Sequence, residues 1–384
     1  MLEPSYFRIS TQIIYGRHSV GRIGEVAGNL GVRKALVITD PGVAGSGVVD
    51  QLLDLLKEAG IATIVFDEVE PNPTVQSAEK AAGQYASEGC DGVIAIGGGS
   101  PLDVGKAVGV LATNPGQVSD YLGMDKVKNP SALVVCVPTT AGTAAEITDV
   151  AVLSDHEKKI KVGLRAVQVA PSVALLDPLL TVSLPPAPTR DSGLDALTHA
   201  VESYICVNAW AGTEPLALKA IELVGRHLRT AVHNGKDIDA RDGMLKASLL
   251  AGMAFHNTKL CLVHAITGPL GGVYNLPHGG SNAIVLPHAM KFLLPGAVEK
   301  YVDIAVTLGE QVEGLSDREA AETAVEAVVQ LSTDVGLPEG LSVYGVRRDA
   351  LPDLSKTIEG SLMNPLSPRV ASADDILQIC QAAL

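Results

Sequence analysis

The chain has 384 residues, 47% hydrophobic and 19% charged, which describes a globular polypeptide long enough for two domains and a large core. A formal net charge of -14 argues against nucleic acid or an anionic membrane as partner, and means that any anionic ligand needs a local positive site. No apolar run reaches membrane-spanning length. The opening Met1-Leu-Glu-Pro-Ser-Tyr6 lacks a signal-peptide pattern, and five scattered cysteines (Cys90, Cys136, Cys206, Cys261, Cys380) lack any CxxC, so a cytoplasmic protein with reduced, buried thiols is expected.

Residues 11–15 read as a strand, closed by a turn at Gly16. Residues 35–39 (Ala-Leu-Val-Ile-Thr) form a short apolar run suited to a strand buried on both faces. A helix follows over 48–59, ended by Gly60. Residues 62–66 read as the next strand and 74–87 as the next helix. Further strands fall at 91–96 and 133–137. Strands alternating with helices of this length predict a parallel, doubly wound α/β sheet.

Ligands in such sheets sit beyond the carboxyl ends of the strands. Three of these ends are polar or glycine-rich: Thr39-Asp40, Gly97-Gly-Gly-Ser-Pro-Leu-Asp103 and Pro138-Thr-Thr-Ala-Gly-Thr143. The glycine run follows a strand and opens a helix, with Ser100 as expected N-cap, Pro101 in the first turn and Asp103 at the capping-box position. Glycines at 97–99 let a pyrophosphate approach free backbone N–H groups at a helix N-terminus. The competing reading is a tight turn that needs glycine for geometry alone. Asp40 reads equally as an acceptor for an adenine ribose or as a turn residue before Pro41-Gly42. Asn72 reads as a turn residue, Thr139, Thr140 and Thr143 as loop threonines, and Lys158, Lys159 and Lys161 as a basic cluster that is either solvated or facing phosphates.

Pro178, Pro185, Pro186 and Pro188 mark a hinge, and the pattern beyond it is helical. The expected division is an α/β domain over 1–183 and an all-α-helical domain over 184–384. A helix begins at Thr213-Glu-Pro215, and capping boxes at Ser316 and Ser372 open two more. Asp195 and His199, four apart, share one face of a helix. With His264 and His278 they offer four N/O ligands and no thiolate, a set suited to Fe(II) or Zn(II). Read alone, the first two are a surface pair. Their apolar surroundings (Leu194, Ala196, Leu197, Ala200, Val201) favour burial with a partner instead. His156, His227 and His233 read as surface residues and His288 as locally packed. His256, eight residues before His264, shares roughly its helical face.

Four motifs, Gly97-Gly-Gly-Ser-Pro-Leu-Asp-Val-Gly-Lys106, Pro138-Thr-Thr-Ala-Gly-Thr-Ala-Ala-Glu146, Asp195-Ala-Leu-Thr-His-Ala-Val-Glu202 and Asn275-Leu-Pro-His-Gly279, lie in order along most of the chain. Together they resemble the iron-containing (group III) alcohol dehydrogenases, of dehydroquinate synthase-like fold. The resemblance implies an NAD-linked alcohol dehydrogenase or aldehyde reductase acting on a small molecule, as a homodimer or larger oligomer with the early strand shared across the interface. It implies Asp195, His199, His264 and His278 as ligands of Fe(II), with Zn(II) as the alternative metal. It assigns Gly98, Gly99 and Ser100 to the pyrophosphate loop, and Asn72, Asp103, Thr139, Thr140, Thr148 and Lys161 to further cofactor contacts. Asp40 matches the acid that selects NAD. One departure stands out: Gly268 occupies a position where many members carry a proton-relay histidine. His264, His278 and His256 are accordingly the expected catalytic imidazoles, with His256 or a water chain as relay, or else a substrate that is bulkier or charged at that end. Val150, Phe255, Gly268 and Leu362 are the expected pocket lining, and Lys259 is either a solvated lysine or a partner for an anionic substrate group. A glycerol-type polyol dehydrogenase, a sugar-phosphate cyclase or lyase, and a non-catalytic relative are the alternatives.

Overall fold

The computed structural model describes residues 5–155, 158 and 160–384, so His156 and Lys159 lie outside the described residues. Strands form at β1 (Gln12–Tyr15), β2 (Lys34–Ile38), β3 (Ala62–Phe66), β4 (Gly92–Gly97), β5 (Gly123–Met124), β6 (Val134–Pro138), β7 (Val150–Asp155), β8 (Ile160–Arg165) and β9 (Val173–Leu176). Between them lie helices α1 (Ile23–Asn29), α2 (Pro41–Ala44), α3 (Val48–Glu58), α4 (Val75–Ser87) and α5 (Gly99–Thr113). Six strands make one sheet in the order β1-β9-β6-β4-β2-β3, every pair parallel. Alternate residues face opposite ways, as the period of a strand demands. Leu36, Ile38, Val93, Ala95 and Val134 pack on one side with residues of α4 and α5. Ala35, Val37, Ile94, Ile96 and Val135 pack on the other with residues of α1 and α3. Burial on both faces is why these strands read as continuous apolar runs.

The sheet order has a functional consequence. From β2 the chain moves outward to β3, then returns to place β4 on the opposite side of β2. The winding reverses between β2 and β4, and such a reversal leaves a crevice at the strands' carboxyl ends. Thr39-Asp40 and Gly97-Gly98 stand at those two ends.

The remaining helices are α6 (Pro186–Ile205), α7 (Glu214–His233), α8 (Ile238–Thr258), α9 (Leu262–Tyr274), α10 (His278–Leu293), α11 (Val298–Leu308), α12 (Asp317–Asp334), α13 (Leu351–Glu359) and α14 (Ala373–Ala382). Helix α6 packs against α7, α8 and α10, and its residues from Gly193 to Ile205 are all buried. The capping boxes at Ser316 and Ser372 form, with Glu319 and Asp375 returning the hydrogen bond. No single helix among the described residues is long and apolar enough to cross a membrane.

The chain divides into two compact units. Ile9–Thr140 and Ala144–Leu184 form the α/β unit; Pro185–Leu384, residues 5–8 and Ala141–Thr143 form the helical one. A boundary near 183 misses the two small pieces because their attachment is tertiary. The Arg8 N–H donates to the Asn257 side chain at 2.7 Å, and Gly142 lies so close to Ser192 that a Cβ would meet its carbonyl oxygen at 2.5 Å.

The glycine turn also differs in detail from its sequence pattern. Gly98, not Ser100, is the N-cap of α5, and Ser100 lies inside the first turn. The strand turns into the helix directly at Gly97, whose φ is 148° and where a Cβ would fall 2.7 Å from Pro101. Asp103 makes no capping box. It pairs with Lys106 at 2.7 Å and accepts from the Val152 N–H at 3.0 Å.

Candidate active site

The helical unit gathers four ligand-bearing side chains from three helices. Asp195 and His199 project from the buried face of α6, His264 from the first turn of α9 and His278 from the first residue of α10. One ligand atom from each lies within 4.8 Å of all the others. The Asp195 Oδ1 is 3.8 Å from both His199 Nε2 and His278 Nε2. The His199 and His264 rings stack at 4.9 Å, and His264 meets His278 edge-on at 5.3 Å. Asp195, His199 and His264 side chains are 1%, 4% and 7% exposed, whereas His278 is 37% exposed, so the group opens on the His278 side.

Neighbours set the orientation of each ligand. His199 Nδ1 faces the Gly142 carbonyl at 3.2 Å, which turns Nε2 toward the group. Phe255 of α8 lies against the His199 ring at 4.5 Å. His278 reaches Asp195 because Gly279 follows it: a Cβ there would sit 2.2 Å from the Asp191 carbonyl oxygen. Burial by itself raises the Asp195 carboxyl, but the imidazoles of His199, His278 and His264 and the Asn282 amide bring it below the ordinary carboxylate value. Burial also lowers His199, favouring the neutral imidazole that a metal requires.

Sequence reasoning missed two residues here. Asn282 of α10 directs its amide nitrogen to Asp195 Oδ1 (2.8 Å), His264 Nε2 (3.0 Å) and His278 Nε2 (3.2 Å), while its oxygen accepts from Thr267. Glu202 of α6 accepts from His264 Nδ1 at 2.6 Å. Spacing held a signal for both, since Glu202 follows His199 by three and Asn282 follows His278 by four, each one helical turn on. His256 is buried on α8 but does not belong to the four-residue group; its neighbour Phe255 takes the place beside His199. Lys259 caps α8 with φ 75° and donates to the His256 carbonyl at 2.9 Å. Leu362 is 83% exposed. A Cβ on Gly268 would meet nothing within 4 Å.

The α/β unit gathers a second set. Asp40 caps α2 by accepting from the Val43 N–H at 3.0 Å, and its other oxygen lies 3.2 Å from where a Gly97 Cβ would be. A Cβ on Gly98 would approach Thr140 at 3.3 Å, and the Thr139 N–H donates to the Gly97 carbonyl at 2.9 Å. Asp40, Gly97, Gly98, Thr139 and Thr140 therefore surround the amino end of α5, which begins at Gly99 and Ser100. The Thr39 and Thr139 hydroxyls are buried there without hydrogen-bond partners among the described residues. A cradle a Cβ would fill, beside a helix N-terminus, fits the pyrophosphate of a dinucleotide. Lys161 donates to Asn72 at 3.0 Å, joining two expected cofactor residues. Thr148 and Asp103 are instead bonded to the buried ammonium of Lys106. Lys158 pairs with Asp155.

Comparison with known proteins gives the family. A sequence profile described as iron-containing alcohol dehydrogenase matches residues 10–178, and one described as the Fe-containing alcohol dehydrogenase family, C-terminal, matches 189–384. This chain belongs to the iron-containing alcohol dehydrogenase family. It is 41% identical over 373 residues to the 1,3-propanediol dehydrogenase of Klebsiella pneumoniae, covering 96% of each chain. It is 37% identical over 378 residues to the NAD-dependent methanol dehydrogenase of Bacillus methanolicus, covering 98% of this chain and 99% of that one. A crystal structure of 1,3-propanediol oxidoreductase superposes with a TM-score of 0.96 at 40% identity, covering both chains fully. As an iron-containing alcohol dehydrogenase, the protein is an NAD-linked oxidoreductase acting on the alcohol or aldehyde group of a small molecule.

Proposed function

We propose that Asp195, His199, His264 and His278 hold the iron, and that Asp40, Gly97–Ser100, Thr139 and Thr140 hold NAD, with Asn72 and Lys161 as further contacts. The observation that carries this reading is the convergence of one buried carboxylate and three imidazoles from three helices within 4.8 Å. An N/O set without thiolate suits Fe(II), and Zn(II) as the alternative. When bound, the ion supplies Lewis acidity toward the substrate oxygen, and the nicotinamide takes or gives the hydride. The chain's own residues orient and exclude water. Gly142 and Phe255 fix the His199 ring, Gly279 lets His278 approach, and burial keeps water from three of the four ligands. His278, the exposed member, faces the side on which substrate enters.

Small primary alcohols and diols are the substrate class supported by the relatives' activities. The position of β1 at the edge of the sheet supports self-association by strand addition. Five buried, free cysteines support a reducing, cytoplasmic setting.

The test is NADH formation from NAD by Fe(II)-reconstituted protein on methanol, propanediols and longer alcohols, and NADH consumption on anionic aldehydes. Turnover concentrated on the short alcohols and diols is expected; activity confined to anionic aldehydes would refute the substrate class. His264→Ala should lose bound metal and at least about 100-fold of turnover together, more than a residue behind the ligands would cost. Full turnover by a metal-free variant would refute the ligand assignment.

A further inference from the structure

Glu202 carries a charge that the four-residue group does not account for. It lies on α6 seven residues after Asp195 and three after His199, on their face of the helix. Its side chain is 1% exposed. Oε2 is 2.6 Å from His264 Nδ1 and Oε1 is 2.6 Å from the Val263 N–H. On the far side of the same ring, the Asn282 amide nitrogen lies 3.0 Å from His264 Nε2. With Nε2 as the ligand atom, its lone pair faces the group and the proton sits on Nδ1. Both Glu202 oxygens then face donors, so both act as acceptors and the group is a carboxylate.

Among the described residues no lysine or arginine pairs with Glu202; its one ion-pairing neighbour is His264. A buried carboxylate needs a counter-charge. Asp195 is a second buried carboxylate facing the same three imidazoles. Two buried carboxylates carry the charge that one divalent cation neutralises.

We infer that Glu202 is the second anion of the metal centre, a positioning residue that acts through His264. It holds the Nδ1–H tautomer, aims Nε2 at the ion, and balances the ion's second positive charge. This inference rests on the proposed ligand assignment. Its rival is a purely structural role, because Val263 lies in the first turn of α9, where a carboxylate also satisfies a free N–H and meets the helix dipole.

Glu202→Gln separates the two. An amide has one acceptor oxygen, so it cannot serve both donors, and it removes the anion at nearly constant volume. Zn(II) and Co(II) affinities of the full-length protein would be read by competition with a chromophoric chelator, alongside NADH binding and the melting temperature of the metal-stripped protein. Expected are a metal affinity about 10- to 100-fold weaker, a shifted Co(II) absorption spectrum, and unchanged NADH binding. Wild-type metal affinity in the variant, with a lowered melting temperature, would overturn the inference in favour of the structural role. Should the variant not fold, Glu202→Asp takes its place: it keeps the anion but withdraws it from Nδ1, so weakened metal binding is expected and wild-type affinity would overturn the inference. Failure of the wild-type protein to bind either metal would refute the ligand assignment instead.

Discussion

At the scale of single residues, two carboxylates of the α/β unit make separable predictions. Asp40 holds one oxygen on the Val43 N–H and aims the other toward Gly97. A 2′-phosphate beside that carboxylate would meet like charge in a partly buried site. Asp40→Gly should therefore raise the NADPH-to-NADH preference by on the order of tenfold; an unchanged ratio of kcat/KM values would remove Asp40 from cofactor selection. Glu146 ends the Pro138–Glu146 motif and is buried, with one oxygen unpartnered among the described residues. Burial pushes its carboxyl from 4.5 up to about 7, while its own backbone and Lys106 pull the other way. A folded-state value above the unfolded one favours the protonated form in the folded protein. Its stabilising share is thus fully present below about pH 4.5 and is lost as pH rises to 7, a swing on the order of 3 kcal/mol. Glu146→Gln should accordingly raise stability to urea at pH 8 by roughly 1–3 kcal/mol and change it little at pH 4.5. Equal effects at both pH values would mean that ionisation of Glu146 is not the source.

At the scale of elements, much was legible. The strands at 35–39, 62–66, 91–96 and 133–137 appear within one residue of their expected ends, because burial on both faces leaves an unbroken apolar run. The capping boxes of α12 and α14 form because their hydrogen bonds are local. The cap of α5 was misplaced at Ser100 because its position depends on a close approach between Gly97, Pro101 and Asp40 that no local pattern encodes. Two glycines of the helical unit give a paired prediction about element placement. Gly279→Ala puts a Cβ 2.2 Å from the Asp191 carbonyl oxygen, so α10 must shift and take His278 with it. It should lower stability by about 1–3 kcal/mol and weaken metal binding. Gly268→Ala meets open space on α9 and should be neutral or stabilising. Thermal melting and Zn(II) titration of the two variants check this, and similar behaviour would discount the close approach at Gly279.

At the scale of the whole molecule, the cofactor cradle and the ligand group belong to different compact units. Removing iron with a chelator should therefore abolish turnover while NADH binding, followed by fluorescence, persists; loss of both would show that the cradle depends on the metal. The sequence alone determined the class of each half, the glycine-rich turn and the four candidate ligands, because strand and helix periodicity, turn chemistry and ligand type are properties of residues a few positions apart. Tertiary structure alone decided that Phe255 rather than His256 lies against His199, that Asn282 and Glu202 flank the His264 ring, and that Ala141–Thr143 joins the helical unit. Each of those facts depends on how a helix is rotated about its axis or on a contact between residues 18 to 62 positions apart, and packing of the complete core settles both.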